Sequence, residues 1–272
     1  MFQTVCNDEG FGYIIDVVII VVFVACSALY MFNYSIELYI LTPSKRNIPL
    51  TSPEVRIISE NLPAYKMLSK EQREKFNKRT ARFRANKQFV FSERGANNSK
   101  IQLLLCATAT LLTLGYRDYR IASVEKILVY PSEYFSKITR QHHLGEYNPK
   151  LKLLVFSAEH ILEGFEHATD NLNLGVHEFA HALIFNFNRK YSLNALRFNK
   201  GLSQIKKLLR DPRFLQRMDK TDYFRDYAKT NIHEFFAVTL ENFVETPSNF
   251  IADFPELYGI LTKMLNFEKF KR

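Results

Sequence analysis

Residues 176–183, Val-His-Glu-Phe-Ala-His-Ala-Leu, carry two histidines four apart, with a glutamate directly after the first. On an α-helix His177 and His181 lie one turn apart on one face, so both imidazoles can reach a single ion. Glu178 stands beside them, placed to act on a water rather than on the ion. H-E-x-x-H is the arrangement in which zinc lowers a water's pKa and the glutamate takes its proton. At this chain's His and Glu content, the pattern arises by chance in roughly one such sequence per hundred. The plainer reading is a helix with two surface histidines. Phe179, Ala180, Ala182, Leu183, Ile184 and Phe185 argue against it, because a helix apolar nearly all round is buried. Buried histidines need partners, and one Zn2+ serves both.

Zinc on two histidines needs a third protein ligand and keeps one position open. A third histidine in H-E-x-x-H-x-x-G-x-x-H spacing is excluded, since Ile184 stands where the glycine belongs and Phe187 where the histidine does. A glutamate on a later helix is the other common solution. Glu234, Glu241 and Glu245 fall at positions 0, +7 and +11 and share one helical face. Glu234, followed by Phe235, Phe236, Ala237 and Val238, has the most buried-looking setting. His233 is a further candidate, about 100° round the helix from Glu234. Spacing alone leaves the choice open.

Around this centre, 272 residues with 47% hydrophobic and 14% aromatic content describe a folded, helix-rich chain. Cys6, Cys26 and Cys106 are odd in number, far apart and form no C-x-x-C pair, which argues against a disulfide framework or a cysteine zinc site and favours a reducing compartment. Val17 to Phe32 is uninterrupted apolar or small sequence, with Asp16 just before it, and reads as a membrane span over about residues 12–34. No basic n-region precedes it, which disfavours a cleaved signal peptide. Asp8 and Glu9 precede the span; Lys45, Arg46 and Arg56 follow it. The positive flank places the N-terminus outside and the catalytic domain in the cytoplasm.

Residues 1–41 hold no Lys or Arg, so the remainder carries 37 basic against 24 acidic side chains. Nucleic acid is the weaker explanation, because no nucleic-acid motif accompanies the charge. Residues 42–54 hold three prolines and read as a linker. Glu54 to about Arg84 reads as one basic helix, either a solvated face or a contact with anionic headgroups. Lys100 to Leu114 is a core helix ended by Gly115. Ile127–Tyr130 and Leu151–Phe156 are strands, the second a candidate sheet edge beside the cleft. Helices follow at Ala158–Glu166, at the His177 segment capped by Asn171 or Asn173, at Leu193–Leu209, from near Asp222 to Val244, and at Glu256–Arg272.

HEFAHAL (177–183) together with RDYAKTNIHEFFAVTLENFVETP (225–247) resembles the Mlc titration factor A family of zinc peptidases, whose core is similar to that of anthrax lethal factor. Lys100–Gly115, ILVYPSEY (127–134), Phe156-Ser157 and Leu162-Glu163-Gly164 resemble the corresponding family segments, so the likeness covers about residues 85–250. Ala158 stands where the family usually has tryptophan. The resemblance implies His177, His181 and Glu234 as zinc ligands, Glu178 as general base and Tyr227 as the hydroxyl that stabilises the oxyanion. It matches Asn173 to the family's asparagine before the zinc helix.

The expected architecture is α+β and mainly helical: a membrane anchor (1–41), a linker (42–54) and a zincin-like peptidase domain (55–272). Residues 55–120 would be its helical part and 121–272 its catalytic part. The expected protein is a single-pass zinc metallopeptidase of a bacterial inner membrane acting on peptide or protein substrates. The alternative is a membrane-tethered zinc-binding regulator that sequesters a partner such as a transcriptional repressor.

Overall fold

A computed structural model describes residues 8–35, 48–136, 139–167, 169–188, 190–221, 223–225, 228 and 230–267. The chain divides into two units, Met1–Thr42 and Pro43–Arg272.

The first contains α1 (Asp8–Ser35). Its segment Tyr13–Ser35, 23 residues, is long and apolar enough to cross a membrane, and none of its most apolar window is buried. At 1.5 Å per residue this segment reaches about 34 Å, against about 30 Å of bilayer hydrocarbon.

The second unit is mainly helical around a four-stranded sheet. It opens with α2 (Ser52–Asn61), α3 (Pro63–Lys66) and α4 (Lys70–Asn86). The single basic helix expected over 54–84 is therefore three. Pro63 opens α3 directly after Leu62, and Ser69 with Gln72 forms a capping box that starts α4 afresh. Nor are all its cations spare. Lys75 donates to the Leu114 carbonyl and Arg79 to those of Thr113 and Leu114, satisfying the last turn of the next helix. Arg84 pairs with Glu54.

That next helix, α5 (Asn98–Thr113), follows the short strand β1 (Gln88–Phe91). Every residue of α5 from Leu103 to Thr113 is buried, as its apolar sequence requires. Thr110 and Thr113 satisfy their hydroxyls on the carbonyls of Cys106 and Ala109. After α5 come β2 (Lys126–Tyr130), the β3–β4 hairpin (Tyr134–Ser136, Gln141–His143), β5 (Gly145–Asn148) and β6 (Leu153–Ser157). The sheet order is β1-β2-β6-β5, with β1, β2 and β6 parallel and β5 antiparallel to β6. The strand expected as the edge, β6, is thus interior. The edges are β1 and β5; the one beside the cleft is β5, whose polar sequence Gly-Glu-Tyr-Asn carries no strand-like alternation.

Among the described residues seven helices follow: α6 (Ala158–Glu166), α7 (Leu174–Asn188), α8 (Leu193–Leu208), α9 (Pro212–Thr221), α10 (Ile232–Glu245), α11 (Pro247–Asp253) and α12 (Pro255–Met264). The helix expected from Asp222 begins at Ile232 instead. There the Asn231 side chain accepts hydrogen bonds from the backbone N–H groups of His233 and Glu234. The final helix expected over Glu256–Arg272 is α12, which ends at Met264; α11 ahead of it was not expected, and residues 268–272 lie outside the described residues.

Candidate metal centre

The histidine-bearing helix α7 lies among α5, α8, α10, β5 and β6. Val176, Phe179, Ala180, Leu183, Ile184 and Phe187 are all buried. At about 1.5–3 kcal/mol for each large apolar side chain, this burial fixes the helix and the direction of its histidine face. Its start is fixed too. Asn173 Oδ1 accepts from the Val176 N–H at 3.0 Å, and Asn171, in the left-handed region at φ 61°, turns the chain into it.

On that face the His177 and His181 ring centroids are 4.9 Å apart. Glu234, in the first turn of α10, brings Oε2 to 3.1 Å from His177 Nε2 and 3.4 Å from His181 Nε2. The ligand atoms of the three residues lie within 4.8 Å of one another, and these residues form a group that can hold a metal ion. Two imidazoles and one carboxylate are the donor set that suits a three-ligand zinc site, so the residues present fit the ion the motif calls for.

The other candidates raised by the sequence have different places. Glu241, 1% exposed, accepts from His177 Nδ1 at 2.7 Å, from Arg225 Nη2 at 2.7 Å and from the Asn173 backbone N–H at 2.8 Å. Glu245 accepts from Asn173 Nδ2 at 3.0 Å, and burial pushes its carboxyl up to about 7. His233 is outside the group, with its ring 6.4 Å from that of Phe185. The expectation that Glu234 has the most buried setting is corrected: it is half-buried, and the deeply buried carboxylate is Glu241. Tyr227, expected as the oxyanion donor, lies outside the described residues.

The local field is acidic. Burial works against a charged His177, but its bonds to Glu234 and Glu241 outweigh this and raise its pKa to about 10. Burial works to raise Glu234, yet the two histidines hold its carboxyl well below the usual range. The same field favours a cation. Glu178, 6% exposed, is pushed up by burial, partly offset by His181 and His177.

Glu241, raised by its spacing as a candidate ligand, instead orients His177, held in turn by Arg225. Sequence reasoning missed Arg225 in that place, and it missed Gly145, at the start of β5. A Cβ there would meet Glu178 Cγ at 2.8 Å and Oε1 at 2.9 Å, so only glycine lets the edge strand come this close to the glutamate. Beside the metal group opens a cleft of about 380 Å³, lined by His143, Gly145, His160, Glu163 and Arg225 as well as His177 and Glu178.

Residues 42–266 match the family described as glucose-regulated metallo-peptidase M90. An uncharacterized protein of Synechocystis sp. is 26% identical over 241 residues, which cover 79% of this chain and 84% of the relative.

Proposed function

The chain belongs to the glucose-regulated metallopeptidase M90 family, which includes the Mlc titration factor, and from that membership we propose that it is a membrane-anchored zinc-dependent peptidase. His177, His181 and Glu234 would hold the zinc. The observation that carries this reading is their convergence, with Glu178 buried beside them at the cleft. Bound zinc supplies Lewis acidity, polarising a scissile carbonyl and acidifying water.

The chain's own residues supply the rest. Glu178 takes the proton of the attacking water and returns it to the leaving amine, a task its raised pKa suits. Gly145 opens β5 toward Glu178, so an extended peptide can add to the free edge of β5, with its scissile bond over the metal group. Tyr227 donates to the developing oxyanion, a role worth about 2.7–4 kcal/mol per donor. His177 is kept in one tautomer by Glu241 and stays aimed at the ion.

The fold we assign to the body is zincin-like, in residues 55–272, behind an anchor at 1–41 and a linker at 42–54. Asp8 and Glu9 at the start of α1, ahead of its apolar span, and Lys45 and Arg46 after it favour a cytoplasmic body. A C-terminal reporter active only outside the cytoplasm would reverse that orientation.

The deciding experiment measures zinc content and peptide hydrolysis on the full chain in detergent, wild type beside Glu178→Gln. The expected result is a single zinc in both proteins, with turnover in the variant down by about 10²–10⁴-fold. Zinc in both with turnover in neither would favour a regulator that captures a partner. Zinc in neither would remove the metal reading.

A further inference from the structure

The positive surplus of the body is not spread evenly. On α4, Lys75, Arg79 and Arg84 hold carbonyls of α5 or pair with Glu54, and exposed Glu71 and Glu74 offset their neighbours. Helix α8 is different. From Asn186 to Arg210 the sequence contains no acid and seven basic residues. Lys190 is taken up by Asp118 at 2.7 Å, and Arg189 lies outside the described residues.

The helix has two distinct faces. Ala195, Phe198, Leu202, Ile205 and Leu208 are buried, and α8 packs against α7 and α12. On the other side Leu193, Leu196, Arg197, Lys200 and Lys207 fall within about 100° of arc and are all exposed. Leu193 is 62% and Leu196 63% exposed, and Tyr191, just ahead of the helix, is 86% exposed. An ordinary solvated face accounts for part of this. Lys206 and Lys207 in the last turn complement the helix dipole. It does not account for Arg197 and Lys200 farther back, or for a tyrosine and two leucines grouped at the helix start with no acid among them.

Apolar anchors at one end of a helix face and cations along the rest fit the boundary of an anionic bilayer. There leucine and tyrosine enter the headgroup region while lysine and arginine reach phosphates. We propose that the outer face of α8 docks on the anionic phospholipid surface of the membrane that α1 crosses. The proposal rests on α1 being a span. That tether, only 12 residues of sequence from Ser35 to Ile48, keeps the body close to lipid, so that even weak surface contacts are populated. Nucleic acid would use the cations but not the leucines, which is why lipid is the occupant chosen.

The chain has no tryptophan, so one placed at Leu196 reports from this face alone. Full-length Leu196→Trp is reconstituted in vesicles of phosphatidylcholine, or of phosphatidylcholine mixed with phosphatidylglycerol. A Leu151→Trp chain, altered at an exposed leucine on the turn between β5 and β6, is the control. The expected result is a blue shift and quenching by brominated lipid at position 196 in the anionic vesicles only. Both effects should disappear with Arg197→Glu, Lys200→Glu and Lys207→Glu together. No shift in a chain that stays with both vesicle types through an alkaline carbonate wash overturns the docking and leaves the span standing. Loss of the chain from neutral vesicles in that wash overturns the span and the docking with it. An equal shift at position 151, or the same shift with duplex DNA and no lipid, also overturns the proposal.

Discussion

His177 has both ring nitrogens engaged: Nε2 lies toward Glu234, and Nδ1–H donates to Glu241. A carboxylate on the far nitrogen fixes the tautomer and strengthens the near one as a ligand, and such partners commonly contribute 10–100-fold in metal affinity. Glu241→Gln keeps an acceptor for His177 but removes the charge. Zinc affinity, read by competition with a chelator, is expected to fall within about that range, while saturating stoichiometry stays at a single ion. Unchanged affinity would make Glu241 merely structural. The histidine pair was legible because four residues is one helical turn. The choice between Glu234 and Glu241 was not legible from neighbours. Residues one or two places along a helix point to other faces, so the phenylalanines after Glu234 say little about its own burial. Glu234 stands in the first turn of α10, half-buried beside the two histidines, whereas Glu241, two turns on, is fully buried.

Among the elements, those helices could be read whose apolar periods and caps agree. α6 was read to its end residues, and α5 and α8 to within two residues. The strand beside the site was not legible. β5 takes its order from pairing with β6, Gly145 to Phe156 through Asn148 to Leu153, and nothing in Gly-Glu-Tyr-Asn announces that partner. Missing β5 is also what made β6 look like an edge. The functional weight of β5 falls on its first residue, because an added methyl at 145 must displace the Glu178 carboxylate or the Leu174 side chain, 2.7 Å from the same point. Gly145→Ala is therefore expected to keep its zinc and lose at least about tenfold in turnover, the order of effect of a misplaced catalytic group. Full turnover would mean that strand and helix part without cost.

At the scale of the whole molecule, composition separated an acid-only N-terminal segment from a basic body, and the chain divides at the same place. What it concealed is how the buried helices are tied beyond their ends. Asp118 lies in the loop after α5, and Lys190 follows α7. Lys190 Nζ reaches one Asp118 oxygen at 2.7 Å, and Arg120 Nε reaches the other at 2.9 Å. Burial works to raise the Asp118 carboxyl, but Lys190 and Arg120 outweigh it and bring its pKa to about 2. The unfolded chain, with an ordinary aspartate near 3.9, binds this proton first as the pH falls. The stabilisation is therefore complete above about pH 5 and is lost as the pH falls toward about 2. With a side chain only 2% exposed, the shift corresponds to roughly 2 kcal/mol at neutral pH. Asp118→Asn should lower the Tm most at neutral pH, with the gap from wild type closing steadily on acidification between about pH 5 and 3. Thermal unfolding of both chains in detergent across that range decides the matter. A gap that stays constant would mean that Asp118 joins the two helix ends through its hydrogen bonds and not its charge.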